Sequence, residues 1–204
     1  MANITRYLVT GLAATISLVA AGQALAAEDG QARIVIHVDN YAGISRADRS
    51  PAESEVTRIL ATAGVRAVWA REGDRADASG LHVRVQLLSR EMAMQKIETE
   101  GLADTVFGRS ARDAGRAYIF THRIAKVPVQ KSDDFRRLLG RVIAHEVGHL
   151  VLPGHSHSLR GIMRADLGVR SNSGYHFTTE QGVAIRARLA AASSPPADDP
   201  LIRK

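Results

Sequence analysis

The sequence predicts an α+β fold built as a single domain, and three observations carry that expectation. A strand, a helix and a second strand follow one another between Arg33 and Trp69. A long amphipathic helix runs from about Asp133 to Leu152, and a capped helix begins after Thr178. The 204 residues suit one domain with short appendages.

The first appendage reads as an export signal spanning residues 1–26. Arg6 supplies a basic start, Tyr7 to Ala21 carries no charge, and Ala24-Leu25-Ala26 offers the small residues a signal peptidase reads, with cleavage after Ala26. As an uncleaved anchor the run is short of the roughly 20 apolar residues a membrane span needs. The expected product is an exported protein, periplasmic or secreted, with no stable membrane insertion once the signal is removed.

Arg33 to Val38 is β-branched and bounded by Asp39-Asn40 and Gly43, hence a strand leaving into a turn. Ser50 is the expected helix cap, with Pro51 in the first position and Glu53 completing a capping box. Val56, Ile59 and Leu60 share one face, and Gly64 ends the helix. Val65 to Trp69 then returns as a strand, giving a right-handed crossover if the two strands are parallel.

After a polar stretch from Arg71 to Gly80, Leu81 to Leu87 alternates with period two, placing His82, Arg84 and Gln86 outward. His82 is therefore expected on the solvent face rather than as a ligand. Loop signals dominate Arg90 to Gly115, with one short helix expected around Met92 to Ile97. Ala117 to Phe120 reads as a strand running on through Ile124 and Val127 until Pro128 ends it, and nothing near His122 in sequence completes a site with it.

In the helix from Asp133 to Leu152, the residues Phe135, Leu138, Leu139, Val142 and Ile143 form the apolar stripe, with Arg136, Arg137 and Arg141 on the wet side. His145 and His149 continue the row of Leu138 and Val142, so both imidazoles are directed toward the buried side, where His needs a reason to be. Gly140 and Gly148 each cost a free helix roughly 1 kcal/mol, which is understandable if other chain passes close by. Beyond Pro153-Gly154 the chain is irregular until Thr178 and Gln181 cap a last helix running to about Ala192. Residues 27–192 thus form the domain, and 193–204, rich in Ser, Pro and Asp, read as a tail without a core pattern.

Composition removes several function classes. The absence of Cys excludes a disulfide scaffold, a thiol nucleophile and a lipidated cysteine anchor. The net charge of +6 is scattered among acids and apolar residues, and only four Phe and four Tyr are present to stack bases, so no nucleic-acid partner is expected. Asp39, Asn40, Asp74 and Asp77 read as turn residues, not as a calcium loop.

His145-Glu146-Val147-Gly148-His149 is a complete zinc-binding helix motif. Side chains four apart stack on one helix face, so both imidazoles can reach one ion, while Glu146, one step round, can hold a water without being a ligand. Zinc would acidify that water and polarise a carbonyl, and Glu146 would take the proton and pass it to a leaving nitrogen. A catalytic zinc needs a third protein ligand and one open position. His155 and His157 are both candidates by distance along the chain.

The segment from His145 to Met163, HEVGHLVLPGHSHSLRGIM, resembles the metzincin clan of zinc peptidases, in a matrixin-like form. That clan combines a zinc-binding helix, a Gly turn, a third His commonly followed by Ser, and a Met-turn beneath the metal. The resemblance implies a twisted mixed sheet, an active-site helix and a C-terminal helix, Zn2+ as cofactor, and peptide or protein substrates. It assigns His145 and His149 as ligands, Glu146 as general base and Met163 as the Met-turn residue. The clan's turning Gly falls where this chain has Leu152, and a Gly comes instead at 154. Three residues on from Gly154 is His157, followed by Ser158; preserving the total spacing gives His155, followed by Ser156. His157 is the expected third ligand, because Leu152 cannot easily supply a left-handed turn and Gly154 can.

The resemblance further implies a cleft-edge strand, for which residues 81–87 are the candidate, and a substrate pocket walled by residues between Met163 and Tyr175. Only about six residues separate Ala27 from the first strand, leaving no prodomain and assigning restraint to export, an inhibitor or a regulatory partner of a monomeric enzyme. Two other readings compete. One is a zinc amidase acting on a non-protein amide, although no wall-binding repeat is recognisable. The other is a non-catalytic, zinc-stabilised binding module in which His155 and His157 both close the site.

Overall fold

The computed structural model describes residues 31–70, 80–128, 132–154, 156–167 and 174–193, with 132–134 described by their backbone. The expected export signal, residues 194–204 of the expected tail, Asp74, Asp77 and His155 lie outside the described residues. Among the described residues, no helix is long and apolar enough to cross a membrane.

Among the described residues the elements follow in the order β1 (Arg33–Asn40), α1 (Arg46–Thr62), β2 (Arg66–Ala70), β3 (Leu81–Leu87), α2 (Arg90–Glu100), β4 (Gly108–Ala111), β5 (Arg116–Ile119), α3 (Thr121–Ile124), α4 (Ser132–Val151) and α5 (Thr179–Ser193). They form an α+β domain around a five-stranded mixed sheet in the order β2-β1-β3-β5-β4. β1 and β2, the two strands joined through α1, are parallel, with Ile34 opposite Ala67. β3 and β5 continue in parallel, and β4 alone is antiparallel, pairing Gly108 with Ile119 and Ser110 with Ala117.

One face of this sheet is apolar and the other polar, because alternate residues point to opposite sides. Ile34, Ile36, Val83, Val85, Leu87, Ala117 and Ile119 are buried in the same core as Val56, Ile59 and Leu60 of α1 and Leu138, Leu139, Val142 and Ile143 of α4. Each of the Val, Leu and Ile side chains contributes roughly 1.5–3 kcal/mol by leaving water. On the other face the His37 Nε2 and His82 Nδ1 atoms lie 3.0 Å apart, and Asp39 accepts hydrogen bonds from Arg84 Nη1 at 2.8 Å and Gln86 Nε2 at 3.0 Å. The outward placement of His82, Arg84 and Gln86 thus follows from the alternation.

Several boundaries differ from the sequence expectation for identifiable reasons. Ser45, not Ser50, caps α1: its hydroxyl accepts from the Asp48 N–H at 3.2 Å and donates to Asp48 Oδ2 at 2.7 Å. The helix then runs through the exposed Pro51 with one backbone bond fewer. The strand expected to continue past Phe120 instead becomes the short helix α3, where Arg123 is only 9% exposed. Its Nη1 donates to Ala103 O at 2.6 Å and Val106 O at 2.7 Å, so a buried guanidinium is satisfied while it pins the loop that leads into β4. The helix expected at Met92 to Ile97 extends over Arg90–Glu100 because Ser89 caps it at Met92 N and Gly101, with φ +60°, ends it.

Gly140 and Gly148 have the expected close neighbours. A Cβ on Gly140 would lie 2.6 Å from Ala52 O and 2.8 Å from Glu55 Cβ, so α1 and α4 can approach only because residue 140 has no side chain. A Cβ on Gly148 would overlap Met163 Sδ and reach 3.0 Å from Phe177 Cε1. Arg141, expected on the wet side, is 9% exposed: it stacks over the Tyr175 ring at 3.7 Å and pairs with Glu55 Oε1 at 3.5 Å. These contacts tie the first half of α4 to α1 and to the segment after residue 173.

Candidate metal centre

The second half of α4 brings His145 and His149 to one face, as four-residue helical spacing requires. His157 returns to the same point from the chain beyond the helix. His149 Nε2 lies 3.0 Å from His145 Nε2 and 3.1 Å from His157 Nε2, and the donor atoms of all three residues lie within 4.8 Å of one another. The turn that achieves this is not made in the expected way, because Gly154 does not adopt a positive φ. Leu152 stays in the helical ladder, bonding Gly148 O at 2.9 Å, and is 2% exposed, so the core holds the chain in helix past the point where an earlier Gly would have released it.

The other ring nitrogens are already engaged. His145 Nδ1 donates to Ile162 O at 2.8 Å, which leaves Nε2 with a free lone pair. Ile162 O is in turn fixed, because Ile162 N bonds His176 O at 2.8 Å and Ser158 N bonds Met163 O at 2.9 Å. His149 Nδ1 lies 3.0 Å from Ser156 Oγ. Burial, then the neighbouring imidazoles, press the His149 pKa down to about 3; burial, only partly offset by the Ile162 bond, also lowers that of His145. Both rings are therefore neutral, the form that ligates a metal.

With His145 Nδ1 bound to the Ile162 carbonyl, its Nε2 lone pair faces His149 Nε2, and the three converging Nε2 atoms form a set that one shared cation can bind. Four-coordinate geometry with bonds of about 2.0–2.1 Å puts ligand nitrogens about 3.3 Å apart. The observed 3.0 and 3.1 Å separations fit a small ion with modest relaxation. Nitrogen donors in a tetrahedral set are the chemistry of Zn2+ rather than of calcium or magnesium.

Glu146, one step round the helix, faces β4 and is 6% exposed. Ser110 Oγ is 2.5 Å from its Oε2 and 2.9 Å from its backbone carbonyl. Burial pushes the Glu146 pKa up to about 7, against the opposing effects of the Ser110 hydrogen bond and the Arg109 charge. Met163, from the chain beyond α4, is fully buried against Gly148 of that helix.

A cavity of about 710 Å3 opens in front of these groups, lined by His145, Glu146, His149 and His157, by Val106 to Ser110, and by Ala165 to Leu167. Part of the segment expected to wall the pocket is therefore present, while 168–173 lies outside the described residues. The expected cleft edge is corrected. β3 sits between β1 and β5 inside the sheet, and β4 is the strand at the cleft. A second cleft of about 800 Å3, walled by α1, the first half of α4 and Gly174 to His176, contains none of the three clustered histidines.

Sequence reasoning missed Gly108, Ser110, Ser156 and the second task of Gln181. Gln181 Oε1 accepts the Thr178 N–H at 2.9 Å as the capping box requires, but its Nε2 also donates to Ser156 O and Ser158 Oγ, each at 3.3 Å. The last helix thus holds the loop that delivers His157. Ser158, which follows His157, donates to Arg160 O at 2.6 Å. A Ser before the third His was visible in the sequence, but nothing there tied it to His149.

No family model matches the sequence, and no curated protein matches it. Two solved structures resemble the fold. A zinc-dependent peptidase from Methanocorpusculum labreanum (strain Z) aligns over 74% of this chain and 99% of its own, with 15% identity and a TM-score of 0.48. Archaemetzincin from Archaeoglobus fulgidus, complexed with malonate, aligns over 75% of this chain and 99% of its own, with 13% identity and a TM-score of 0.46. At that level of similarity, the chemistry of this site rests on its own geometry.

Proposed function

We propose that the protein is a zinc-dependent peptidase of metzincin-like construction, acting in an exported compartment. One observation carries the reading: three imidazole Nε2 atoms converge within metal-binding distance while a buried carboxylate stands beside them and a cleft opens in front. His145, His149 and His157 would hold the ion. Zinc bound there supplies a Lewis acid for a carbonyl and an acidified water.

The remaining steps belong to the chain. Glu146, whose burial favours accepting a proton near neutral pH, takes the proton of the attacking water and returns it to the leaving nitrogen. The Ile162 carbonyl keeps the His145 ring in its ligating tautomer, and Ser156 Oγ gives the other ring nitrogen of His149 a partner. β4, at the end of the sheet beside the cleft, offers its outer backbone groups to an extended peptide. Met163 supports the floor beneath Gly148 as a Met-turn residue would. The charge-free run after Arg6 supports export, and substrates are peptides or proteins met outside the cytoplasm by a monomer restrained by an inhibitor or regulator.

Glu146→Gln tests the reading. Zinc stoichiometry should remain near one per chain while turnover of a mixed peptide library falls at least about a hundredfold, the scale for losing a positioned base. Loss of zinc together with unfolding would make the residue structural and sink the proposed role.

A further inference from the structure

β4 touches the Glu146 side chain at two positions. Gly108 and Ser110 are two residues apart in an extended strand and so face the same side, toward α4. The Ser110 hydroxyl has one proton to give, and the Glu146 carboxylate at 2.5 Å takes precedence over the Glu146 carbonyl at 2.9 Å. At Gly108, a Cβ would lie 2.7 Å from Glu146 Cγ, 2.8 Å from Oε1 and 2.9 Å from Cδ. One residue therefore binds one oxygen of the carboxylate, and the other leaves room for the rest of it.

We propose that β4 is a positioning strand: Ser110 anchors Glu146 Oε2 and the missing side chain of Gly108 seats Cγ and Oε1, fixing the carboxylate beside the three histidines. The inference rests on Glu146 being the general base. A carboxylate on a helix has three rotatable bonds, and neither imidazole of the same helix bonds it. Without an anchor it would sample positions in which Oε1 cannot reach a water on the ion. The antiparallel edge strand supplies that anchor from a separate element, and the buried Arg123 holds the loop entering the strand.

The test uses the zinc-loaded full chain and its apo form with four readouts: kcat, KM, zinc affinity by calorimetry and the crystal structure of each variant. Ser110→Ala should lower kcat about ten- to a hundredfold with KM nearly unchanged, the scale for misplacing a reacting group by about 1 Å. Zinc affinity should stay nearly unchanged, because Ser110 bonds Glu146 and not a histidine, and the Glu146 carboxylate should be rotated or spread over several positions in the apo crystal. Ser110→Thr, which keeps the hydroxyl, should restore most of the rate. Gly108→Ala should shift the carboxylate by steric contact and lower kcat with zinc affinity kept. An unchanged or raised kcat in Ser110→Ala, or a carboxylate that does not move, would overturn the proposal. If the wild-type zinc protein cleaves no peptide, the peptidase reading fails by itself, and the crystal structure of Ser110→Ala still decides whether β4 positions Glu146.

Discussion

The two halves of α4 both carry polar side chains into the protein, but they treat them in opposite ways. In the first half the half-buried Arg136 and the buried Arg141 both meet partners supplied by the fold. Arg136 Nε bonds Asp48 Oδ1 at 2.8 Å, and Arg141 lies between Glu55 and the Tyr175 ring. Glu55 is held further by Arg58, through Nε at 2.7 Å and Nη2 at 2.9 Å. In the second half the outer ring nitrogens of His145 and His149 have partners, whereas among the described residues the Nε2 atoms meet only one another. Polar groups that the fold completes are structural; groups that it aligns and leaves incomplete await a ligand. On one helix, the contrast cannot be ascribed to burial alone.

Chelation should therefore separate the halves most sharply. Stripping zinc is expected to abolish turnover and to lower the melting temperature, since an ion at a hundred times its Kd adds about 2.7 kcal/mol to stability. At about 2–4 °C per kcal/mol for a chain of this size, that is a fall of about 5–10 °C. A melting curve indifferent to chelation and to zinc return would erase the distinction.

Glu55→Ala is the matching perturbation of the first half. It strands Arg141 without its carboxylate and should cost about 3 kcal/mol in denaturant unfolding, with zinc affinity unchanged. Burial alone would raise the Glu55 pKa, but the hydrogen bonds and charge of Arg58, helped by Arg141, outweigh it and hold the carboxyl below its ordinary 4.5. A depressed folded pKa gives stability that is fully present above 4.5 and is lost as the pH falls through the folded value. The stability of Glu55→Gln should accordingly decline less than that of the wild type as the pH drops below 4.5.

Ser156→Ala probes the join between the halves' rules, since it removes a partner from a ring that is itself a ligand candidate. Zinc affinity should fall about ten- to a hundredfold, the usual cost of releasing a ligating imidazole, with little change in the apo melting temperature. A loss of apo stability instead would place Ser156 with the structural contacts.

Much of this contrast is legible in the sequence. The 3.6-residue spacing put His145 and His149 with Leu138 and Val142, the alternation of Leu81 to Leu87 gave β3 to the residue, and Gly140 and Gly148 announced close neighbours that proved to be Ala52 and Met163. What was hidden depended on distant partners. β4 is four residues of Gly-Arg-Ser-Ala with no apolar alternation, and it is a strand because β5 pairs with it and α4 covers it. Arg141 looked solvent-facing because helical phase says nothing of a Tyr thirty-four residues later in the chain. The extension of Phe120 into a strand failed for a similar reason, since the carbonyls that bind Arg123 come from a loop upstream. The third ligand rested on the turn at Gly154, and the described geometry brings His157 to the cluster without the left-handed conformation that motivated the choice.

The proposed centre is a zinc ion held by three imidazoles with its fourth position open to water. X-ray absorption of the zinc-loaded protein, one ion per chain, reads this directly. The predicted spectrum fits three imidazole nitrogens and one oxygen at about 2.0–2.1 Å, and His157→Ala loses the ion while His155→Ala retains it. Four imidazoles with no oxygen, or a His157→Ala protein that still holds zinc at full affinity, would contradict the account and leave a closed structural site in place of a peptidase centre.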